Sequence, residues 1–238
     1  MTTELATTAG RPSFAYSNLS GRPPAALLTR LAPVVRGVRE TLDQVAPWAA
    51  WWRASNLRAL ASGRPLWVVL GDSLSQGIGA SSPERGWVGR VLADPPSHLR
   101  DAAVLNLSFN GARATDVLET QLPAHDVLRH HHDIACVTLL IGNNDLMNPR
   151  WCRQLPATME HLLEVVPDGT VVARQSGMQR TAAQFNAVLH RAAARRDVRP
   201  ADFRVPHLRD FVGRLGRDFF HPSDRGYAQM ADAVRRAL

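Results

Sequence analysis

The hydrophobic pattern predicts strands at Leu66–Leu70, Val104–Leu107, Ile134–Ile141, Thr170–Ala173 and Asp202–Val205. The first of these runs is apolar at every position, as expected of a parallel strand buried on both faces rather than one facing water on one side. Between and after them, apolar residues recur at helical spacing over Trp87–Leu92, Ala114–Leu122, Trp151–Val165, Thr181–Arg195 and Ser223–Ala237. Strands alternating with helices predict a mostly parallel sheet covered on both faces. No internal repeat or linker divides residues 66–238, so this region reads as one domain.

The first 65 residues follow another pattern. Residues 1–24 are rich in Thr, Ala, Ser, Gly and Pro with little periodicity, which predicts a disordered or loosely attached arm whose removal leaves function intact. From there Leu27, Leu31, Val34, Val35, Val38, Leu42 and Val45 recur at helical spacing, with Pro33 kinking that helix or delaying its start. A second helix is expected from Pro47 to Ala61, carrying Trp48, Trp51 and Trp52. These helices either cover the domain or lie on a membrane surface through residues 25–62, where Trp and Arg suit an interface.

A hydrophobic content of 45% and a charged content of 21% describe a globular chain, and its length suits one domain with an extension. No stretch approaches the ~20 apolar residues that a membrane span needs, and Met1-Thr-Thr-Glu-Leu lacks the basic start and apolar core of a secretory signal. A cytoplasmic location is therefore expected. The net charge of +7 is lopsided: residues 1–65 hold eight arginines against three acidic residues, whereas the rest is nearly balanced. All the basic residues are arginine, a usage that points to a GC-rich gene rather than to phosphate binding, and no nucleic-acid partner is expected. Cys136 and Cys152 match neither a disulfide framework nor a zinc site. His125, His130, His131 and His132, interleaved with Asp126 and Asp133, read as a solvated helix end rather than a metal site.

Candidate chemistry lies at the carboxyl ends of the strands, where open α/β sheets bind ligands. The first strand stops at Gly71 and hands over Asp72 and Ser73; the second gives Asn110-Gly111-Ala112; the third gives Gly142-Asn143-Asn144-Asp145. Asp218-Phe219-Phe220-His221 precedes the last helix. The first block is not a Gly-x-Ser-x-Gly elbow, because Ser75 stands where the second glycine belongs. A serine hydroxyl becomes a strong nucleophile when an imidazole takes its proton, and the imidazole needs a carboxylate to fix its tautomer. His221 and Asp218, three residues apart, can supply both to Ser73. Backbone N–H groups of Ser73 and Gly111 and the side-chain amide of Asn144 are candidates for holding an oxyanion. Asp72 and Asp145 read as carboxylates that hold neighbouring loops.

These four blocks, carrying Ser, Gly, Asn and His in that order over residues 66–238, resemble the GDSL, or SGNH, family of serine esterases and lipases. The resemblance implies a three-layer α/β/α sandwich with a five-stranded, flavodoxin-like parallel sheet. It implies Ser73 as nucleophile, Asp218 and His221 as the remainder of the triad, and Ser73, Gly111 and Asn144 as the oxyanion hole, with no cofactor and no metal. The expected reaction is hydrolysis of a small-molecule carboxylic ester or thioester through an acyl-enzyme, with Met147 and Trp151 as candidate walls of an acyl pocket. Two rivals use the same chain differently: an acyltransferase working through the same site, and a noncatalytic module whose N-terminal helices bind lipid or nucleic acid. About 65 residues precede the first strand, an extension that secreted members of the family lack.

Overall fold

The computed structural model describes residues 5–8, 11–23, 30, 32–176, 180–202 and 213–238. A short antiparallel pair, β1 (Leu5–Thr8) and β2 (Arg11–Phe14), leads to a long helix, α1 (Arg36–Ala61). The main sheet comprises β3 (Leu66–Gly71), β4 (Ala103–Asn106), β5 (Ile134–Leu140), β6 (Thr170–Ala173) and β7 (Val198–Ala201). Its strands run parallel in the order β4-β3-β5-β6-β7, the flavodoxin-like order. From β3 the chain goes first to one side, to β4, and then crosses to the other, to β5. The crevice at this reversal, above β3, is where ligands bind in such sheets.

Alternation along β3 builds two cores. Leu66, Val68 and Leu70 face one layer and pack with α6 (Pro149–Val165) and α7 (Arg180–Ala193) through Leu155, Met159, Leu162, Phe185 and Leu189. Trp67 and Val69 face the other, against Trp87 and Val91 of α3 (Trp87–Ala93) and Tyr227 and Val234 of α8 (Asp224–Ala237). Every residue of β3 is buried, which accounts for its unbroken apolar run. The short helices α2 (Ser73–Gln76) and α5 (Asn143–Leu146) start immediately beyond β3 and β5.

Several elements differ from the sequence expectation for identifiable reasons. The fifth strand lies at Val198–Ala201 rather than Asp202–Val205, and residues 203–205 fall outside the described residues. Arg199 and Pro200 hide it from a hydrophobic reading; proline is tolerated because β7 pairs only with β6 and forms a sheet edge. The helix expected to end at Leu122 is a turn at Ala114–Asp116 and a π-helical turn at Val117–Gln121 that continue into α4 (Leu122–Arg129), with Pro123 accommodated in its first turn. His125 is thereby buried rather than solvated, whereas His130 and His131 are exposed.

The extension departs most. Instead of two helices meeting at Pro47, α1 runs through it, although Pro47 leaves the Asp43 carbonyl without its usual intrahelical donor. Leu27 and Leu31 of the predicted stripe lie outside the described residues, and α1 starts beyond Pro33. Burial compensates for the proline: α1 lies along the edge strand β4, with Ala59 in one core and Trp52 in the other. Among the described residues, no helix is long and apolar enough to cross a membrane.

Residues 14–22, expected to be loosely attached, are docked. The buried Asn18 donates to the Asn106 carbonyl at 2.9 Å and the Ser108 carbonyl at 2.8 Å. Asn56 of α1 donates to the same Asn106 carbonyl at 2.7 Å and accepts from its N–H at 2.8 Å, so side chains continue the pairing of β4 at the sheet edge. The Tyr16 hydroxyl donates to the Leu107 carbonyl, and Arg22 pairs with Asp116. Asn18→Ala would take this donor from the buried Ser108 carbonyl and one of two donors from the Asn106 carbonyl, so it is expected to lower unfolding free energy by about 1–3 kcal/mol. Deletion of residues 1–24 should cost more; urea midpoints of the two variants test both.

Candidate active site

Gly71 makes the turn from β3 into α2. Its φ of +146° suits glycine, and a Cβ there would run into the Leu140 carbonyl of the neighbouring strand. With no side chain available, the peptide is held from outside: Gly71 N–H donates to Gln121 Oε1 at 2.7 Å and Gln121 Nε2 donates to the Gly71 carbonyl at 2.8 Å. Asp72 then caps α2, accepting from Leu74 N–H at 2.9 Å. Ser73 is the first helical residue, and its own N–H has no intrahelical acceptor.

Ser73 and His221, 148 positions apart, meet at this rim, Ser73 Oγ lying 3.0 Å from His221 Nε2. The other ring nitrogen, Nδ1, lies 2.6 Å from Asp218 Oδ2. An ionised Asp218 can only accept, so Nδ1 carries the hydrogen and Nε2 is the free base facing the Ser73 hydroxyl. Asp218 is itself fixed: Oδ1 accepts from Phe220 N–H at 3.1 Å and His221 N–H at 3.0 Å. This tight loop puts Phe219 at a φ of +58°, an unfavourable angle for a side chain of its size, and leaves it exposed. Burial would raise the Asp218 carboxyl, but the His221 hydrogen bond and charge, with the two N–H bonds, outweigh it and hold the group below the ordinary carboxylate value. Neither nearby serine competes for His221. The Ser75 hydroxyl is wholly buried, and Ser81 Oγ is bonded to Asp224 at 2.7 Å.

The Gly111 and Asn144 loops are tied together. Asn144 Nδ2 donates to the Ala112 carbonyl at 2.9 Å, and Asp145 Oδ2 accepts from Ala114 N–H at 3.1 Å. The Asn144 amide has a second N–H, and Gly111 is exposed at a φ of +71°. Asp72 and Asp145 thus hold loops, as their sequence setting suggests. Burial pushes the Asp72 carboxyl up to about 7, with the Leu74 N–H opposing the shift and the Asp145 charge adding to it. Asp145 is likewise raised by burial, to about 6.

A cavity of about 140 Å³ lies beside the triad loop, with Leu74, Leu140, Asn143, Gln175, Phe220 and Met230 among its walls. Met147 and Trp151, the expected pocket residues, do not line it. Met147 is exposed, and the Trp151 ring lies under the guanidinium groups of Arg113 and Arg150, at 4.2 and 4.6 Å. Gln121 is not singled out by the sequence, because a lone glutamine far from the turn it brackets has no motif that marks it.

Comparison with known proteins follows the same outline. Residues 69–229 match the family model described as GDSL-like Lipase/Acylhydrolase family. Among solved structures, the lipase Lip_vut3 from a goat rumen metagenome is similar at 18% identity and a TM-score of 0.58, over 73% of this chain and 97% of that one. LAE5, an alpha/beta hydrolase enzyme from the metagenome of Lake Arreo, Spain, is similar at 21% identity and a TM-score of 0.54, over 74% and 94%. Axe2, an acetylxylan esterase from Geobacillus stearothermophilus, is similar at 20% identity and a TM-score of 0.52, over 74% and 94%. These likenesses extend to the fold. No curated protein matches the sequence.

The raised carboxyls make a prediction about stability. Where the folded value lies above the unfolded value of ~3.9, the native state holds the proton more tightly, so stability falls as pH rises from about 4 towards 7. Asp72→Asn, which keeps an oxygen for Leu74 N–H but carries no charge, should flatten that part of a melting-temperature profile. An unchanged slope would mean that Asp72 is ionised without penalty.

Proposed function

The chain belongs to the GDSL-like lipase/acylhydrolase family and is a carboxylic ester hydrolase, and from that premise we propose that it works through an acyl-enzyme on Ser73. The observation that carries this reading is the unbroken line from Asp218 to His221 at 2.6 Å and from His221 to Ser73 at 3.0 Å. Ser73 Oγ attacks the ester carbonyl carbon while His221 Nε2 takes the hydroxyl proton. The imidazolium that forms is stabilised by Asp218. Negative charge on the carbonyl oxygen is met by the N–H groups of Ser73 and Gly111 and by the Asn144 amide.

Collapse of the tetrahedral adduct breaks the bond to the alcohol oxygen, which leaves with the proton from His221. Water, deprotonated in turn by His221, attacks the acyl-Ser73 carbonyl; the acid departs and Ser73 regains its proton. Every step uses side chains on the rim and balances in protons without a cofactor. Small-molecule esters are the substrate class.

Ser73→Ala and His221→Ala should each abolish ester turnover and labelling by a fluorophosphonate probe without unfolding the protein. Asn144→Ala acts on the transition state alone, so kcat should fall ~10²–10³-fold with little change in KM. Labelling that persists in Ser73→Ala would move the nucleophile elsewhere, and a full kcat in Asn144→Ala would remove the oxyanion role.

A further inference from the structure

One face of α1 meets both halves of the site. At its start, Gly37 packs so closely on the loop before Asp218 that a Cβ would run into the Arg217 carbonyl, and Glu40 pairs with Arg217 at 3.2 Å. Further along, Gln44 Oε1 accepts from Gly79 N–H at 2.8 Å and Gln44 Nε2 donates to the Ala80 carbonyl at 3.1 Å. Trp48 Nε1 donates to the Gly77 carbonyl at 3.1 Å and Trp52 Nε1 to the Gln76 carbonyl at 2.9 Å. Positions 37, 40, 44, 48 and 52 are three or four apart, a single stripe on a helix.

The segment this stripe grips is the one that follows the nucleophile and touches the base. Ile78 N–H donates to the Ser73 carbonyl at 3.0 Å, and the Ile78 carbonyl accepts from the buried Tyr227 hydroxyl at 2.6 Å. Gly79, at a φ of +94°, lies against His221 so closely that a Cβ there would be 2.6 Å from the His221 Cβ. The carbonyls of Gln76, Gly77 and Ala80 and the Gly79 N–H are thus held by α1, on a turn whose other side packs under His221.

We infer that α1 is a brace that sets the distance between Ser73 and His221, with Gln44 and Gly37 as its positioning residues. This rests on the reading of Ser73, His221 and Asp218 as the triad. A rigid helix spanning the acid loop and the nucleophile turn transmits a shift in one to the other, because it bonds to the backbone of the turn and packs Gly37 directly on the backbone of Arg217. The brace lies outside residues 69–229, the part that matches the family model. The extension is therefore part of the catalytic apparatus rather than a tether. Rate is sensitive to the alignment of a nucleophile with its base, and displacement by about 1 Å can cost ~10²-fold.

Two variants of the full chain and one control test the brace. Gln44→Ala removes both bonds to the turn and should lower kcat and the fluorophosphonate labelling rate together, roughly 10- to 100-fold, with KM changed less than about twofold. Gly37→Ala improves intrinsic helix propensity, which on its own would stabilise α1. Its methyl should push on Arg217 and lower kcat all the same. Ala59→Gly, at the far end of α1 over the sheet, should destabilise the fold while keeping kcat at a temperature where it is folded. Wild-type kcat and labelling in both Gln44→Ala and Gly37→Ala would overturn the brace while leaving the triad reading intact. Equal loss in Ala59→Gly would overturn it too, reducing α1 to a source of stability. Labelling that survives Ser73→Ala would instead overturn the triad reading beneath it.

Discussion

The contact between Gly71 and the Leu140 carbonyl governs this structure. Two parallel strands approach so closely at their carboxyl ends that the residue leaving β3 can have no side chain, and the chain must turn there at once. That turn opens α2 with Asp72 as its cap and puts Ser73 where helix N–H groups are free. A larger residue at position 71 would push β3 away from β5 or carry the serine off the rim. The site is therefore a consequence of strand packing, and the core that fills both faces of β3 holds it rigid.

Turning so sharply exposes backbone polar groups that neither helix nor sheet can satisfy, and burial makes each of them costly to leave unpaired. Side chains from distant parts of the chain meet that demand. Gln121 brackets Gly71, Tyr227 takes the Ile78 carbonyl, and Gln44, Trp48 and Trp52 take the groups around Gly79. The buried asparagines Asn18, Asn56 and Asn106 do the same for the edge of the sheet, where Asn106 Nδ2 also donates to the Ser75 carbonyl at 2.9 Å. One polar network thus joins the extension, the sheet edge and the nucleophile turn. Through this network Asn18, Gln44, Trp48, Trp52 and Asn56 of the extension are bonded to the sheet edge and to the turn after Ser73.

Charge is distributed with the same economy. Asp218 is partly buried yet held below its ordinary value by its hydrogen bonds and the His221 charge, whereas Asp72 and Asp145 are more deeply buried and are raised. The difference separates a carboxylate that must be ionised to orient an imidazole from two that only need to accept backbone N–H groups.

The α/β class, the strands Leu66–Gly71 and Thr170–Ala173, and the four blocks with Ser73, Gly111, Asn144 and His221 could be read from the sequence alone, because each is a local pattern: an apolar run, a glycine at a turn, a polar cluster after a strand. The weaker readings failed where local pattern and tertiary demand part company. Val198–Ala201 contains Arg199 and Pro200 and becomes a strand only because β6 offers an edge; α1 passes through Pro47 because its burial outweighs one lost hydrogen bond; and the arm around Asn18 looks featureless because its bonds to the domain are to residues 38 to 94 positions away. Sequence determined which residues could do chemistry, since reactivity belongs to residue types. Only the tertiary structure decided that Ser73, His221 and Asp218 lie within hydrogen-bond reach and that Gln44 and Gly37 of one helix lie against the turns beside them, since those distances depend on how separate elements pack.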